Sequence, residues 1–136
     1  MTTYKYLIIP FITSIVCQSI KILIETIKYK KINIERFFDG MGGMPSTHSS
    51  LVSSLTTIIY IDYSFTSPIF AISLFFSLIV IYDSMGIRYE SGKQAEVLNE
   101  VIGTNLREKI GHQPIECLVG VILGIMLSII LNNIIS

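Results

Sequence analysis

The chain has 136 residues, 51% of them hydrophobic and only 15% charged, with no net charge and a mean hydropathy of +0.64. Soluble domains carry about 25% charge, so this composition excludes an ordinary soluble protein and reads as one membrane-embedded domain over residues 1–136. The missing basic excess argues against nucleic acid as a partner.

The first apolar run, about Leu7 to Ile27, is interrupted by Gln18, Lys21 and Glu25. Lys21 and Glu25 are four apart and can share a helix face, and charges within a span face the bundle interior or snorkel to the interface. Bulky residues precede Cys17 and no small-residue cleavage site follows the N-terminus, so this run reads as retained. Cys17 and Cys117 both lie in apolar runs without metal-ligand spacing and read as core hydrophobes.

A basic connector follows, with Lys28, Lys30, Lys31 and Arg36. A second segment, about Pro45 to Ile61, is rich in hydroxyls suited to packing between helices. A turn at Asp62–Phe65 leads to a third segment, about Ser67 to Tyr82, with Pro68 in its first turn, where proline is tolerated. From Gly86 to Lys109 the chain is charged, and Ala95, Val97, Leu98, Val101 and Ile102 recur at helical spacing. This predicts a separate short amphipathic helix on the membrane face or docked on the bundle. The last segment, about Pro114 to Ile135, carries Gly120 and Gly124 as a G-x-x-x-G close-packing face. The expected architecture is therefore an all-α polytopic membrane helix bundle, with about four transmembrane helices plus one amphipathic helix.

Lysines and arginines of short loops set orientation. They gather between segments one and two and between segments three and four (Arg88, Lys93, Arg107 and Lys109). Both loops are expected in the cytoplasm and both termini outside, in a multi-pass cell-membrane protein. Segments two and four then start from the cytoplasmic side.

Each of those two starts carries one of the chain's two histidines, in Gly42-Gly43-Met44-Pro45-Ser46-Thr47-His48-Ser49 and in Gly111-His112-Gln113-Pro114-Ile115-Glu116. A helix N-terminus offers unpaired N–H groups and the positive end of the dipole, and so attracts phosphate. Two such ends with an imidazole each suit phosphoryl transfer through a phosphohistidine.

Met44-Pro45-Ser46-Thr47-His48-Ser49 resembles the P-S-G-H motif of the type 2 phosphatidic acid phosphatase superfamily, which includes vanadium-dependent haloperoxidases. The fuller set adds Tyr82-Asp83-x-x-Gly86-Ile87-Arg88, Gln94-Ala95, Asn99 and G-H-Q-P-I-E. It resembles the small divergent branch described as acid phosphatase/vanadium-dependent haloperoxidase-related, over nearly the whole chain.

The resemblance implies a phosphatidic acid phosphatase/haloperoxidase-like fold with His112 as nucleophile, Glu116 orienting it and His48 protonating the leaving group. It also implies phosphate contacts from Ser46, Thr47 and Gly43. The superfamily's first motif, K-x6-R-P, is degraded: Lys21 and Lys28 keep its spacing, but Tyr29 replaces the proline. Leu106 stands at the arginine position six before His112. Arg107, Arg88 and Arg36 are the alternatives for that missing arginine, and Lys21 and Arg88 are the first choices for neutralising phosphate oxygens.

The expected function is a metal-independent phosphoric ester hydrolase, with no cofactor, acting on a lipid phosphate. Phosphatidylglycerol phosphate or phosphatidic acid ranks ahead of an isoprenyl diphosphate, because the site faces the cytoplasmic leaflet. The alternative is a non-catalytic membrane protein that binds phosphorylated headgroups; a haloperoxidase ranks lower. A zinc site from His48, His112, Glu116 and Asp83 is a further reading, without a metal signature in the spacing. Membrane lipids and a phospholipid or isoprenoid phosphate substrate are the expected partners, with homo-oligomerisation left open.

Overall fold

The computed structural model describes residues 4–32, 43–108 and 111–135. Four helices account for most of them: α1 (Lys5–Tyr29), α2 (Thr47–Tyr63), α3 (Pro68–Ile102) and α4 (Pro114–Ile135). Among the described residues there is no strand. α1, α3 and α4 are each long and apolar enough to cross a membrane. At 17 residues α2 falls short of the ~20 that a bilayer core requires.

Local chemistry sets the helix ends. Lys30, with φ 52°, stops α1 in the left-handed region. Ser46 and Ser67 cap α2 and α3 with side-chain oxygens that accept from the N–H groups of Ser49 and Phe70. Gly103, with φ 74°, ends α3, the conformation for which glycine is favoured.

α3 departs from the sequence expectation. The charged stretch after Gly86 is not a separate interfacial helix but the second half of one 35-residue helix, about 52 Å long. Its two internal glycines, Gly86 and Gly92, cost only about 1 kcal/mol each. No proline interrupts the run, so nothing local outweighs helix propagation. Arg88 lies 20 residues beyond Pro68, about 30 Å along the axis or one hydrocarbon thickness. The rest of α3 extends past that level.

α2 is the central element and touches all three other helices. Its hydroxyls replace apolar filling. Thr56 Oγ1 meets Ser73 Oγ and Ser77 Oγ of α3 at 2.7 Å each, and Thr13 Oγ1 of α1 meets Ser54 Oγ at 3.3 Å. Toward α4, Gly120 and Gly124 lie against the backbone of Ser46 and Ser50, so close that a Cβ at either glycine would overlap a carbonyl oxygen. This is the small-residue packing that membrane helices use, because apolar burial between helices adds little in lipid.

At the bundle end formed by the start of α1 and the ends of α2 and α4, Lys5 is buried. Its Nζ donates to Asp62 Oδ1 at 2.8 Å and Asn132 Oδ1 at 3.1 Å, while Tyr6 Oη donates to Asp62 Oδ2. Asp62 therefore belongs to the last turn of α2, not to a solvent turn, and Lys5 is a buried partner instead of a loop charge. Lys5→Met strands the carboxylate and is expected to cost about 3–5 kcal/mol. The double variant Lys5→Met/Asp62→Leu should recover most of that loss. Thermal unfolding in detergent compares the two.

Candidate active site

The other end of the bundle collects the two histidines. His48 lies in the first turn of α2, and His112 sits two residues before α4. Their ring centroids are 6.1 Å apart.

Backbone hydrogen bonds join the two motifs. Ser46 N–H donates to the Glu116 carbonyl at 3.0 Å, and His112 N–H donates to the Ser84 carbonyl of α3 at 3.0 Å. Gly111 makes the second contact feasible: a Cβ there would overlap the Ser84 carbonyl and come within 2.7 Å of Arg88 Cβ.

Glu116 does two things with one oxygen. Its Oε2 accepts from the N–H of Gln113 at 3.1 Å, three residues back, in the manner of a capping box. It also meets His112 Nδ1 at 3.0 Å. A carboxylate only accepts, so His112 carries its proton on Nδ1 and leaves Nε2 as a lone pair. The His112 side chain is fully buried. Burial holds its pKa below the ordinary imidazole value; the Glu116 hydrogen bond opposes this, and the charges of Lys21 and Arg88 add to the lowering.

Arg88 reaches the second ring, with Nη2 at 3.3 Å from His48 Nε2. Guanidinium only donates, so His48 Nε2 accepts and Nδ1 carries the hydrogen. Two polar atoms are then left buried without a hydrogen-bond partner, His48 Nδ1 and His112 Nε2. Unpaired buried polar atoms are costly and rare, and here two such atoms occur in neighbouring rings set edge-on to each other.

Lys21 is 1% exposed. Its Nζ donates to Thr47 Oγ1 at 3.2 Å, and Thr47 in turn donates to Gln18 Oε1 at 3.0 Å. Gln18 was not among the sequence candidates; its place one turn before Lys21 in an apolar run was the available signal. Ser46 Oγ is taken up in the cap, accepting from Ser49 N–H at 3.3 Å and Ser49 Oγ at 3.0 Å. Gly43 precedes the cap with φ 83°.

The structure brings together His48, His112, Glu116, Lys21, Arg88, Ser46 and Thr47. Arg107 is exposed on the loop after α3. Asn99 organises that loop, binding the Leu106 N–H and carbonyl at 2.8 Å each and Glu108 at 2.7 Å. Asp83 is half-buried on α3, and its carboxylate pairs with neither histidine nor Arg88. Among the described residues no three of His, Cys, Asp and Glu converge as a metal site. Gly42, Arg36 and Lys109 lie outside the described residues.

The fold and site thus define an all-helical membrane protein with a paired-histidine centre flanked by two cations at one bundle end. The chain belongs to the Divergent PAP2 family, whose model matches residues 2–127. It is similar to "Uncharacterized membrane protein YuiD" of Bacillus subtilis (strain 168), at 32% identity over 86% of this chain and 87% of that protein. No solved structure matches it.

Proposed function

We propose that this protein is a membrane phosphatase that hydrolyses a lipid phosphate through a phosphohistidine, on a four-span phosphatidic acid phosphatase-like fold. α2 is the fourth, short crossing, and the site faces the cytoplasm. The observation that carries the reading is the pair of unpartnered ring nitrogens in two neighbouring imidazoles, with Arg88 on one ring and Lys21 held on the adjoining Thr47.

His112 Nε2 attacks phosphorus, and the bond to the leaving oxygen breaks. The leaving alkoxide takes a proton from His48. Before substrate arrives, Arg88 and Lys21 flank the site; a bound phosphate dianion offsets both, so His48 can carry a second proton once substrate is present. Water then attacks the N–P bond with His48 as base, and inorganic phosphate leaves with His112 restored. Glu116 holds the productive tautomer throughout. Lys21, Arg88 and the first-turn N–H groups beside Gly43, Ser46 and Thr47 neutralise the phosphate oxygens.

A phosphate monoester with its chain in the membrane suits a site at the ends of the helices. Phosphatidylglycerol phosphate and phosphatidic acid are therefore ranked above an isoprenyl diphosphate. The observation favouring a headgroup-binding protein without turnover is Leu106, exposed on its loop where the superfamily has arginine. Orthovanadate, which mimics the five-coordinate phosphorus, is expected to inhibit phosphate release, and a chelator to leave it unchanged. Loss on chelation with rescue by zinc would refute this mechanism.

A further inference from the structure

α1 and α3 both lie against α2 but leave a groove of about 510 Å³ between them. Its walls are Phe11 and Ile15 of α1 and Phe76 and Val80 of α3, and its floor is Leu51 and Val52 of α2. One end closes on Gln18, Thr47 and His48, the residues beside Lys21 and Arg88. From Gln18 back to Phe11 the groove runs seven residues along α1, about 10 Å into the bilayer.

Most apolar faces of this bundle need no occupant other than bulk lipid. This one differs because it leads to a reactive polar end. The end carries two cations, and the ring of His48 forms part of the wall. An anionic headgroup at Lys21 and Arg88 places the first part of its hydrocarbon tail in the groove.

We infer that the α1–α3 groove is the subsite for the headgroup-proximal hydrocarbon chain of a phosphate ester, which reaches the histidines sideways from the membrane between α1 and α3. This rests on the phosphatase reading and adds the route and the residues that select the chain. A tail moving from lipid to an apolar groove gains little free energy, for the reason that limits helix association in lipid. The cations supply the attraction, and the groove supplies position. Holding the chain fixes the phosphorus relative to His112, so shape in the groove acts on kcat/KM. Phe11, Ile15, Leu51 and Phe76 are the specificity residues.

The test fills the groove from either wall with Ser14→Trp, on the α1 wall, or Val80→Trp. A control, Ile122→Trp, adds equal bulk to an exposed position on α4. Each is assayed on phosphatidic acid and on p-nitrophenyl phosphate. Both fills are expected to lower kcat/KM for the lipid at least tenfold, mainly through kcat because the groove supplies position more than binding, with the soluble ester and the control unchanged. An unchanged lipid-to-soluble ratio in both fills, or an equal loss in the control, would overturn the groove assignment.

Hexadecyl phosphate with a diazirine near the headgroup gives a second readout that needs no turnover. Labelling at Phe11, Ile15, Leu51 or Phe76, competed by hexadecyl phosphate but not by hexadecanol, supports the groove. Labelling spread evenly around the bundle contradicts it. Groove labelling without phosphate release would retain the subsite and refute hydrolysis; release without groove labelling would do the reverse.

Discussion

His112→Ala is expected to abolish both phosphate release and the acid-labile phosphoryl label on the protein. The nucleophile is the Nε2 lone pair, and no other histidine is held in its tautomer by a carboxylate. Protonation removes that lone pair. Because burial pushes the His112 pKa down, turnover should fall only as pH drops below the ordinary imidazole value of about 6.5. Glu116 acts in the opposite direction and raises that pKa. Glu116→Gln should therefore move the acid limb to still lower pH while lowering the maximum rate, since the ring is less firmly held. A pH–rate profile reads both effects. Normal turnover in His112→Ala would show that another group attacks phosphorus.

His48→Ala is expected to slow turnover about 10²–10⁴-fold, the usual worth of proton donation in the transition state. The loss should be greatest for an alkyl phosphate, whose alkoxide must be protonated as it departs. For p-nitrophenyl phosphate, whose leaving group departs as a stable anion, the first step, formation of the phosphohistidine, should be little slowed, and the loss of turnover falls on the second step. The phosphohistidine should still form from that activated ester, and the label should then persist longer, because His48 also activates the water. Equal losses in the rate of phosphohistidine formation from both esters would make His48 a binding residue instead of the acid.

The two histidine motifs were readable because their chemistry is local. The resemblance names Glu116 as the partner of His112, and a separation of one helical turn makes that contact possible; the structure shows it, together with the cap on Gln113 N–H. The apolar runs likewise locate α1, α2 and α4 to within a few residues at both ends, and α3 at its start. The long α3 was not readable, since Gly86 and the charges after it resemble a boundary. A helix continues through such residues unless a proline or a cap stops it.

Contacts across the fold left weaker traces. Lys5 and Asp62 sit at opposite ends of two different helices, and nothing in either segment announces the pair. Arg88 was one of three candidates for the missing arginine. It reaches His48 because Ser84, one turn earlier on the same face, accepts the His112 N–H and because Gly111 lets that loop approach. The groove depends on how far α1 and α3 stand apart, a tertiary property carried by no single run of residues.

Phosphate release by the purified protein in detergent tests the central claim most directly. The panel is phosphatidylglycerol phosphate, phosphatidic acid, an isoprenyl diphosphate and a short-chain soluble phosphate, each with wild type and His112→Ala. The account predicts turnover of the two lipid monoesters above the isoprenyl diphosphate and the soluble ester, and none with His112→Ala. Silence of the wild-type protein on the whole panel would contradict a phosphatase and leave a protein that binds phosphorylated headgroups without cleaving them.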